Sequence, residues 1–292
     1  MKNKDENIDT LLNEEIKNLL SEYLDEKSIC YLNCLLKESE YQRFFYDFMF
    51  WFKDTDFLKI SQEDSQLLVS QKISIKLVIL IAFIHSLSKD YREEAVQKFF
   101  ENLELHEKFL LCLIVEEENL MSEEDATGIT KNSKKYKEYW AKEQKRQQEN
   151  KRKLVESFIG EDEKEIDALF KERIKYLFAL RSQIVHRGSS VFISRINSPR
   201  KHFLKSAIVE EYPSKQIGNK ILYFRDCNEP FEIILEELFW AAFFRKKELS
   251  MKKLSLRIKN NLEYILNYFL KNESDIISLE QKNRIEEILK NS

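Results

Sequence analysis

The chain has 292 residues, of which 43% are hydrophobic and 34% charged, with only four glycines and three prolines. This apolar content excludes an intrinsically disordered chain, and the scarcity of helix-breaking residues predicts an all-α protein with long amphipathic helices. The net charge of −3 hides an asymmetry, because residues 1–125 contain 14 basic and 27 acidic side chains, whereas residues 126–292 contain 34 and 24. A basic C-terminal part predicts an anionic partner.

The N-terminal part shows helical periodicity. Apolar residues at helical spacing over 8–38 predict one long helix or two shorter ones. The segment 41–53 is densely aromatic, which predicts a core helix packed on both sides; a partner-binding face is the alternative. We expect residues 1–70 to form an acidic helical region.

Residues 72–118 predict three further helices, over 72–88, 90–102 and 104–118. The apolar run Leu77–Ile84 is too short to cross a bilayer and predicts a buried core helix, with no membrane partner. The four cysteines do not make a disulfide framework in a chain of this size. We therefore expect reduced cysteines and a cytoplasmic protein.

The helical pattern breaks over 122–135, and a lysine-rich segment follows. Its first turns combine cations with aromatic rings, in Lys134, Lys135, Tyr136, Tyr139 and Trp140. Cations that contact phosphates, beside rings that stack on bases, are typical of a groove for single-stranded nucleic acid. A solvated charged helix that extends from the body is the alternative. We interpret about 126–160 as a basic insertion in a helical domain that spans 71–292.

Two short apolar runs, 191–193 and 221–224, predict strands, at most a minor β-hairpin. Between them, Ser198-Pro199 is typical of a helix start, with Arg200 and Lys201 in the first turn as candidates for RNA binding. Further helices are predicted over 230–247, 254–270 and 274–290.

The residues most suited to chemistry lie in Leu180-Arg181-Ser182-Gln183-Ile184-Val185-His186-Arg187-Gly188. Arg181 falls within a predicted apolar stripe that contains Ile166, Phe170, Ile174, Leu177, Ile184 and Val185. Burying an arginine in such a stripe costs free energy of folding unless a carboxylate or a bound anion pairs with its charge.

His186 follows Arg181 by five residues, about 140° further around a regular helix. The two side chains converge on one substrate only if the helix distorts or ends near Val185, which Gly188 would permit, or if a second copy of the chain supplies the complement. A structural arginine bridged to a carboxylate, with a histidine that caps the helix end, is the alternative interpretation.

The whole string resembles the catalytic motif of HEPN-superfamily ribonucleases, and most closely that of the ApeA-like HEPN branch. The resemblance implies a HEPN-like helical bundle without metal or cofactor, in a homodimer that forms a composite active site. It implies that His186 acts as general acid or base and that Arg181 holds the scissile phosphate. Ser182 and Gln183 would orient these two residues, and Arg187 would add a phosphate contact.

Two functions follow as expectations. The first is a metal-independent endoribonuclease that cleaves single-stranded RNA through the 2′-hydroxyl, as a toxin or antiphage defence effector with a regulatory protein partner. The second is a catalytically inactive HEPN-like scaffold, or an RNA- or protein-binding component of a defence complex.

Overall fold

The protein is built mainly from α-helices, which frame one small antiparallel sheet. The computed structural model describes residues 14, 16–18, 20–35, 39–48, 50, 66–119, 133–187, 204–209 and 220–291. Its helices are α1 (Glu26–Leu35), α2 (Ser39–Phe48), α3 (Gln66–Ser88), α4 (Glu93–Phe100), α5 (Leu105–Ile114), α6 (Lys134–Ile159), α7 (Glu163–Arg187), α8 (Phe231–Lys246), α9 (Lys252–Asn272) and α10 (Leu279–Asn291). The strands are β1 (Val115–Asn119), β2 (Leu204–Val209) and β3 (Lys220–Arg225). The predicted all-α fold with a minor antiparallel element is confirmed.

The sheet has the strand order β1-β3-β2, and both pairings are antiparallel. Val115 of β1 lies opposite Phe224 of β3. On the other side of β3, Leu204 lies opposite Arg225. The central strand β3 therefore pairs on one side with β1, which directly follows α5. On its other side it pairs with β2, which lies almost ninety residues further along the chain than β1.

Two sequence predictions near the sheet need correction. The helix predicted over 104–118 ends at Ile114, and the three glutamates that follow lie in β1. Helix propensity favours glutamate in a helix, but here cations from other elements pair with the carboxylates of Glu116 and Glu117 in the strand. The predicted strand over 221–224 is confirmed within β3, whereas the one over 191–193 lies outside the described residues.

The chain divides into two compact units. Unit 1 comprises Met1–Leu103 with Glu236–Ile258, and unit 2 comprises Glu104–Leu235 with Lys259–Ser292. Each unit is thus made from two stretches of chain. The division into 1–70 and 71–292 was drawn from composition and the resemblance, and it stays a prediction.

Unit 1 has a core of aromatic rings. Trp240 of α8 is fully buried, with Phe45 stacked parallel to it at 5.8 Å and Phe48 edge-on at 4.5 Å between ring centroids. The predicted core role of the aromatic segment is confirmed for these two residues of α2. It is wrong for Tyr46, which is half exposed because it lies on the opposite side of the same helix.

The helix α3 is longer than its apolar centre suggested. Within the described residues it is the one helix long and apolar enough to cross a membrane by length and composition, over Gln71–Ser88. Half of that window is buried inside the protein, including Leu77, Leu80 and Ile84. The helix also packs on α4, so its burial agrees with the predicted core helix.

Unit 2 positions the motif. The hairpin of α6 and α7 turns at Gly160, whose backbone N–H donates to the Glu156 carbonyl at 2.9 Å and ends α6. Helix α5 packs against both helices, and its Phe109 stacks on Phe158 of α6 at 4.2 Å. Helix α7 also packs on β2, and α6 on β1. These contacts fix α7 against the sheet.

Candidate functional site

Helix α7 carries the arginine and the histidine of the motif. Its predicted apolar stripe is confirmed over Ile166, Phe170, Ile174 and Leu177, all of which are buried. The prediction is wrong at Val185, which is 46% exposed. The last turn of α7 therefore leaves the core that holds the rest of the helix.

Arg181 lies one turn after Leu177, at the edge of this buried stripe. Its side chain is partly buried, and its Nε is a buried donor with no hydrogen-bond acceptor among the described residues. Burial lowers the pKa of this guanidinium from its ordinary value. Within the described part of the chain no carboxylate forms an ion pair with Arg181, so the alternative of a structural bridge finds no partner there.

The side chains that follow Arg181 in the motif differ in their burial. Ser182 and Gln183 are buried, whereas His186 is exposed. Burial suits Ser182 and Gln183 to holding α7 in place, and their predicted role in orienting Arg181 or His186 stays a prediction.

The geometry of α7 decides how Arg181 and His186 can act together. The helix is uninterrupted from Glu163 to Arg187, so it passes Val185 and includes His186. The expected separation of about 140° around the helix axis therefore holds. Within one chain the two side chains point to different sides, one towards the core edge and one towards solvent.

Several predicted site residues lie outside what the structure describes. Arg187 is helical in its backbone, but its side chain is outside the described residues, as is Gly188. Arg200 and Lys201 also lie outside them. Their predicted contacts with RNA stay predictions.

The predicted RNA-binding residues of the basic segment open α6. Lys134 and Lys135 are exposed, and Lys134 forms only an exposed pair with Glu138 at 3.6 Å. Trp140 contacts Tyr136 and Tyr139 edge-on, with ring centroids 5.7 Å and 5.5 Å away. This places two exposed cations beside a cluster of three partly buried rings.

The same rings also anchor α6. The hydroxyl of Tyr139 donates to the backbone carbonyl of Asn119 at the end of β1, at 3.0 Å. One turn later, Glu143 accepts from the Asn119 backbone N–H at 2.8 Å. The alternative of a helix that extends from the body is therefore wrong, because α6 docks along β1 through polar contacts. Its expected solvation is seen in the first half of α6, where Glu143 is the one buried residue before Leu154.

A network of ion pairs joins α6 to the sheet, and sequence reasoning missed it. Glu116 pairs with Arg225 and, at 2.8 Å, with Lys151. Both cations also contact Glu273, at 3.4 Å and 3.2 Å. Burial would raise the pKa of Glu116, but Arg225 and Lys151 outweigh it and lower that pKa to about 2.

The neighbouring glutamate of β1 has its own cations. Glu117 pairs with Arg146 at 2.8 Å and with Lys220, and Arg146 also pairs with Glu143 at 2.5 Å. Burial opposes the charge of Glu117, yet Lys220 and Arg146 hold its pKa below the usual value. A run of three glutamates after an apolar helix was the available signal, but its partners lie from about 30 to about 110 residues away.

The described residues contain no group of side chains suited to bind a metal ion. Among the described residues no three histidine, cysteine, aspartate or glutamate side chains come together in a group that could hold a metal ion. The described cysteines, Cys30, Cys112 and Cys227, are free thiols.

Comparison with protein-family models, with curated proteins and with solved structures finds no match to this chain. The candidate site is therefore defined by its own residues: a partly buried arginine and an exposed histidine on one helix, with a basic and aromatic surface on the helix before it.

Proposed function

We propose that the protein is a metal-independent endoribonuclease of the HEPN type. The observation that carries this proposal is Arg181, whose buried Nε lacks an acceptor among the described residues, five residues before the exposed His186. A guanidinium partly withdrawn from water gains most from an anion with several acceptor oxygens, and a phosphodiester is such an anion.

The chemistry follows from these two side chains. His186 removes the proton of the ribose 2′-hydroxyl, or protonates the departing 5′-oxygen, as general base or acid. Arg181 stabilises the charge that develops on the phosphate oxygens. Because the nucleophile is the 2′-hydroxyl of the substrate itself, the products are a 2′,3′-cyclic phosphate and a 5′-hydroxyl, and DNA is not cut.

The separation of about 140° supports a site shared by two copies of the chain. A continuous α7 directs Arg181 and His186 to different sides, so a single copy does not present both to one phosphate. In a homodimer with a two-fold axis beside the C-terminal turn of α7, the histidine of one copy reaches the phosphate held by the other. The exposed Val185 at this turn adds apolar surface for such a contact.

The direct test uses labelled single-stranded RNA in the presence of EDTA. Wild type is expected to produce fragments with cyclic phosphate ends, and His186→Ala and Arg181→Ala are each expected to lose about 100-fold or more in rate. Arg284→Ala serves as the control, because Arg284 is an exposed arginine on α10. Equal cleavage by wild type and both site variants would overturn the proposal, as would cleavage of the matching DNA.

A second test addresses the shared site. The Arg181→Ala and His186→Ala chains are co-expressed with different affinity tags, and the mixed dimers are purified through both tags. If one site takes its arginine and histidine from different chains, the mixed dimer regains one intact site of two, about half of wild-type activity. Mixed dimers as inactive as the two parents would show that each site needs both residues from one chain.

The second candidate function is a binding component without catalysis. It is favoured by Tyr46 and Phe50 of unit 1, which are 50% and 51% exposed and four positions apart, as on a helix face offered to a partner. In this case Tyr46→Ser with Phe50→Ser would abolish partner binding, and wild type would bind RNA without cutting it.

The biological setting belongs to the same proposal. We place the protein in the cytoplasm, where free thiols such as Cys30, Cys112 and Cys227 stay reduced. There a toxin or antiphage effector meets RNA, and a regulatory protein partner would restrain it until infection. Survival of cells that express wild type or His186→Ala, with and without phage, tests this role.

A further inference from the structure

Arg173 of α7 is a buried arginine that makes only weak contacts with the described residues, among them the ring of Tyr176, whose centroid is 5.8 Å from the guanidinium. It is only 8% exposed, and its Nε and Nη1 are buried donors with no hydrogen-bond acceptor among the described residues. The carboxylate of Glu172 is 3.9 Å from Nη1, but its side chain is 45% exposed. Burial of a guanidinium is unfavourable in free energy unless an anion pairs with its charge and acceptors take its hydrogen bonds.

Arg173 lines a small cavity inside unit 2. The cavity has a volume of about 30 Å³, and Glu117, Gln147, Asn150 and Lys151 contribute further polar groups to its wall. A site of this size holds one or two groups as large as a water molecule. It is too small for a nucleotide.

The other charges around the cavity are paired more closely than Arg173, whose nearest carboxylate is that of Glu172 at 3.9 Å. Four carboxylates, Glu116, Glu117, Glu143 and Glu273, pair with four cations, Arg146, Lys151, Lys220 and Arg225. The remaining acid of β1, Glu118, accepts from the amide of Gln147 at 3.0 Å. Burial raises the pKa of Glu118, so its negative charge is disfavoured rather than offered to Arg173.

We propose that this cavity binds a small monovalent inorganic anion of chloride size, held by the Nε and Nη1 donors of Arg173. The carboxylates of Glu116 and Glu117 also line the cavity, but each is already engaged by two cations. An anion there lies beside the weakly paired guanidinium and accepts from both of its buried donors. The site is separate from the proposed ribonuclease site and does not depend on it.

The solution test compares the stability of the full chain in sodium chloride and in sodium gluconate at equal ionic strength, since gluconate is too large for the cavity. For wild type, chloride should lower the unfolding equilibrium constant in a saturable way, about tenfold at roughly nine times the dissociation constant. Arg173→Met should lose this difference while it keeps a similar volume, a change that buried ionic sites often tolerate.

The control variant is Arg152→Met on α6, an exposed arginine that donates to a backbone carbonyl. It should retain the full chloride response. Equal responses of all three proteins would show a general salt effect and overturn the proposal.

A crystallographic test on wild type does not depend on whether Arg173→Met folds. Crystals of wild type grown in sodium bromide should show an anomalous peak within about 3.5 Å of Arg173 Nε or Nη1. A water molecule in the cavity, without anomalous signal, would overturn the anion site.

Discussion

Unit 1 and unit 2 bury their large side chains by different means. Around Trp240, unit 1 packs rings against rings, and stability comes from area removed from water and from close fit. Around β1, unit 2 buries the carboxylates of Glu116 and Glu117 and the guanidinium of Arg225, and these are tolerated because each pairs with opposite charges from other elements.

The difference has a consequence for chemistry. A ring cluster is almost entirely carbon and packs on itself, although the Nε1 of Trp240 is a buried donor with no acceptor among the described residues. A charged interior can leave one group without a partner, and α7 carries two such groups, Arg173 and Arg181, at their Nε atoms. Because both of these groups are cations, sites for anions are expected in unit 2.

The largest expected effect is in the ring cluster. Trp240→Ala should lower the free energy of unfolding by about 3–5 kcal/mol, because a cavity opens between Phe45, Phe48 and Phe244. Urea unfolding measures the loss, and Trp240→Phe should lose less. A loss below about 1 kcal/mol for the alanine variant would mean that the cluster repacks freely, contrary to a close-packed core.

Breaking the ion-pair network comes next. Arg225→Met should cost about 3 kcal/mol, since Glu116 and Glu273 lose a buried partner and share the remaining cation Lys151. The exposed Arg284→Met is the control, with a change of about 0.5 kcal/mol or less.

A second substitution should affect the free energy of unfolding differently in the ion-pair network and in the ring cluster. Adding Glu273→Leu to Arg225→Met should recover about 1 kcal/mol or more, because it removes a charge left poorly paired. Adding Phe45→Ala to Trp240→Ala should destabilise further. Recovery in neither unit would show that unit 2 depends on packing as unit 1 does.

The acid dependence of stability should include a large contribution from Glu116 of unit 2. The pKa of Glu116 falls from an ordinary 4.5 to about 2 on folding, so its contribution, about 3 kcal/mol, is full above pH 5 and is lost as pH falls towards 2. Glu116→Gln should flatten this acid loss in urea titrations between pH 6 and pH 2.5.

Glu118→Gln is the matched comparison for that experiment. Burial raises the pKa of Glu118, so its contribution is lost as pH rises, and the glutamine variant should be more stable than wild type at pH 7. The same response from both variants would contradict the assigned directions.

The smallest effect concerns the start of α6. The Ser133 side chain accepts from the Tyr136 backbone N–H at 3.2 Å and caps the helix. Ser133→Ala should therefore cost about 1 kcal/mol, and Ser133→Asp should cost little. A loss above about 3 kcal/mol would show that the first turn of α6 is part of the core of unit 2.

Some features of the fold and site could be predicted from local pattern. The buried stripe of α7 could be predicted as far as Leu177, because helical periodicity indicates which face of a helix is buried. The same count placed Arg181 within the stripe, whereas the structure has it partly buried at the edge. The strand β1 could not be predicted, because Glu116 and Glu117 are stabilised there by Arg225 and Lys220, about a hundred residues away.

The sequence by itself determined the helical class, the aromatic core of α2 and the order of Arg181 and His186 along one helix, because these depend on composition and on spacing within a few turns. Only the tertiary structure decided which charges are paired. It paired Arg146, Lys151 and Arg225 with carboxylates of distant elements. It left Arg173 and the Nε of Arg181 without acceptors among the described residues. The physical reason is that the cost of a buried charge depends on what surrounds it in space, and spacing along a chain carries no record of that.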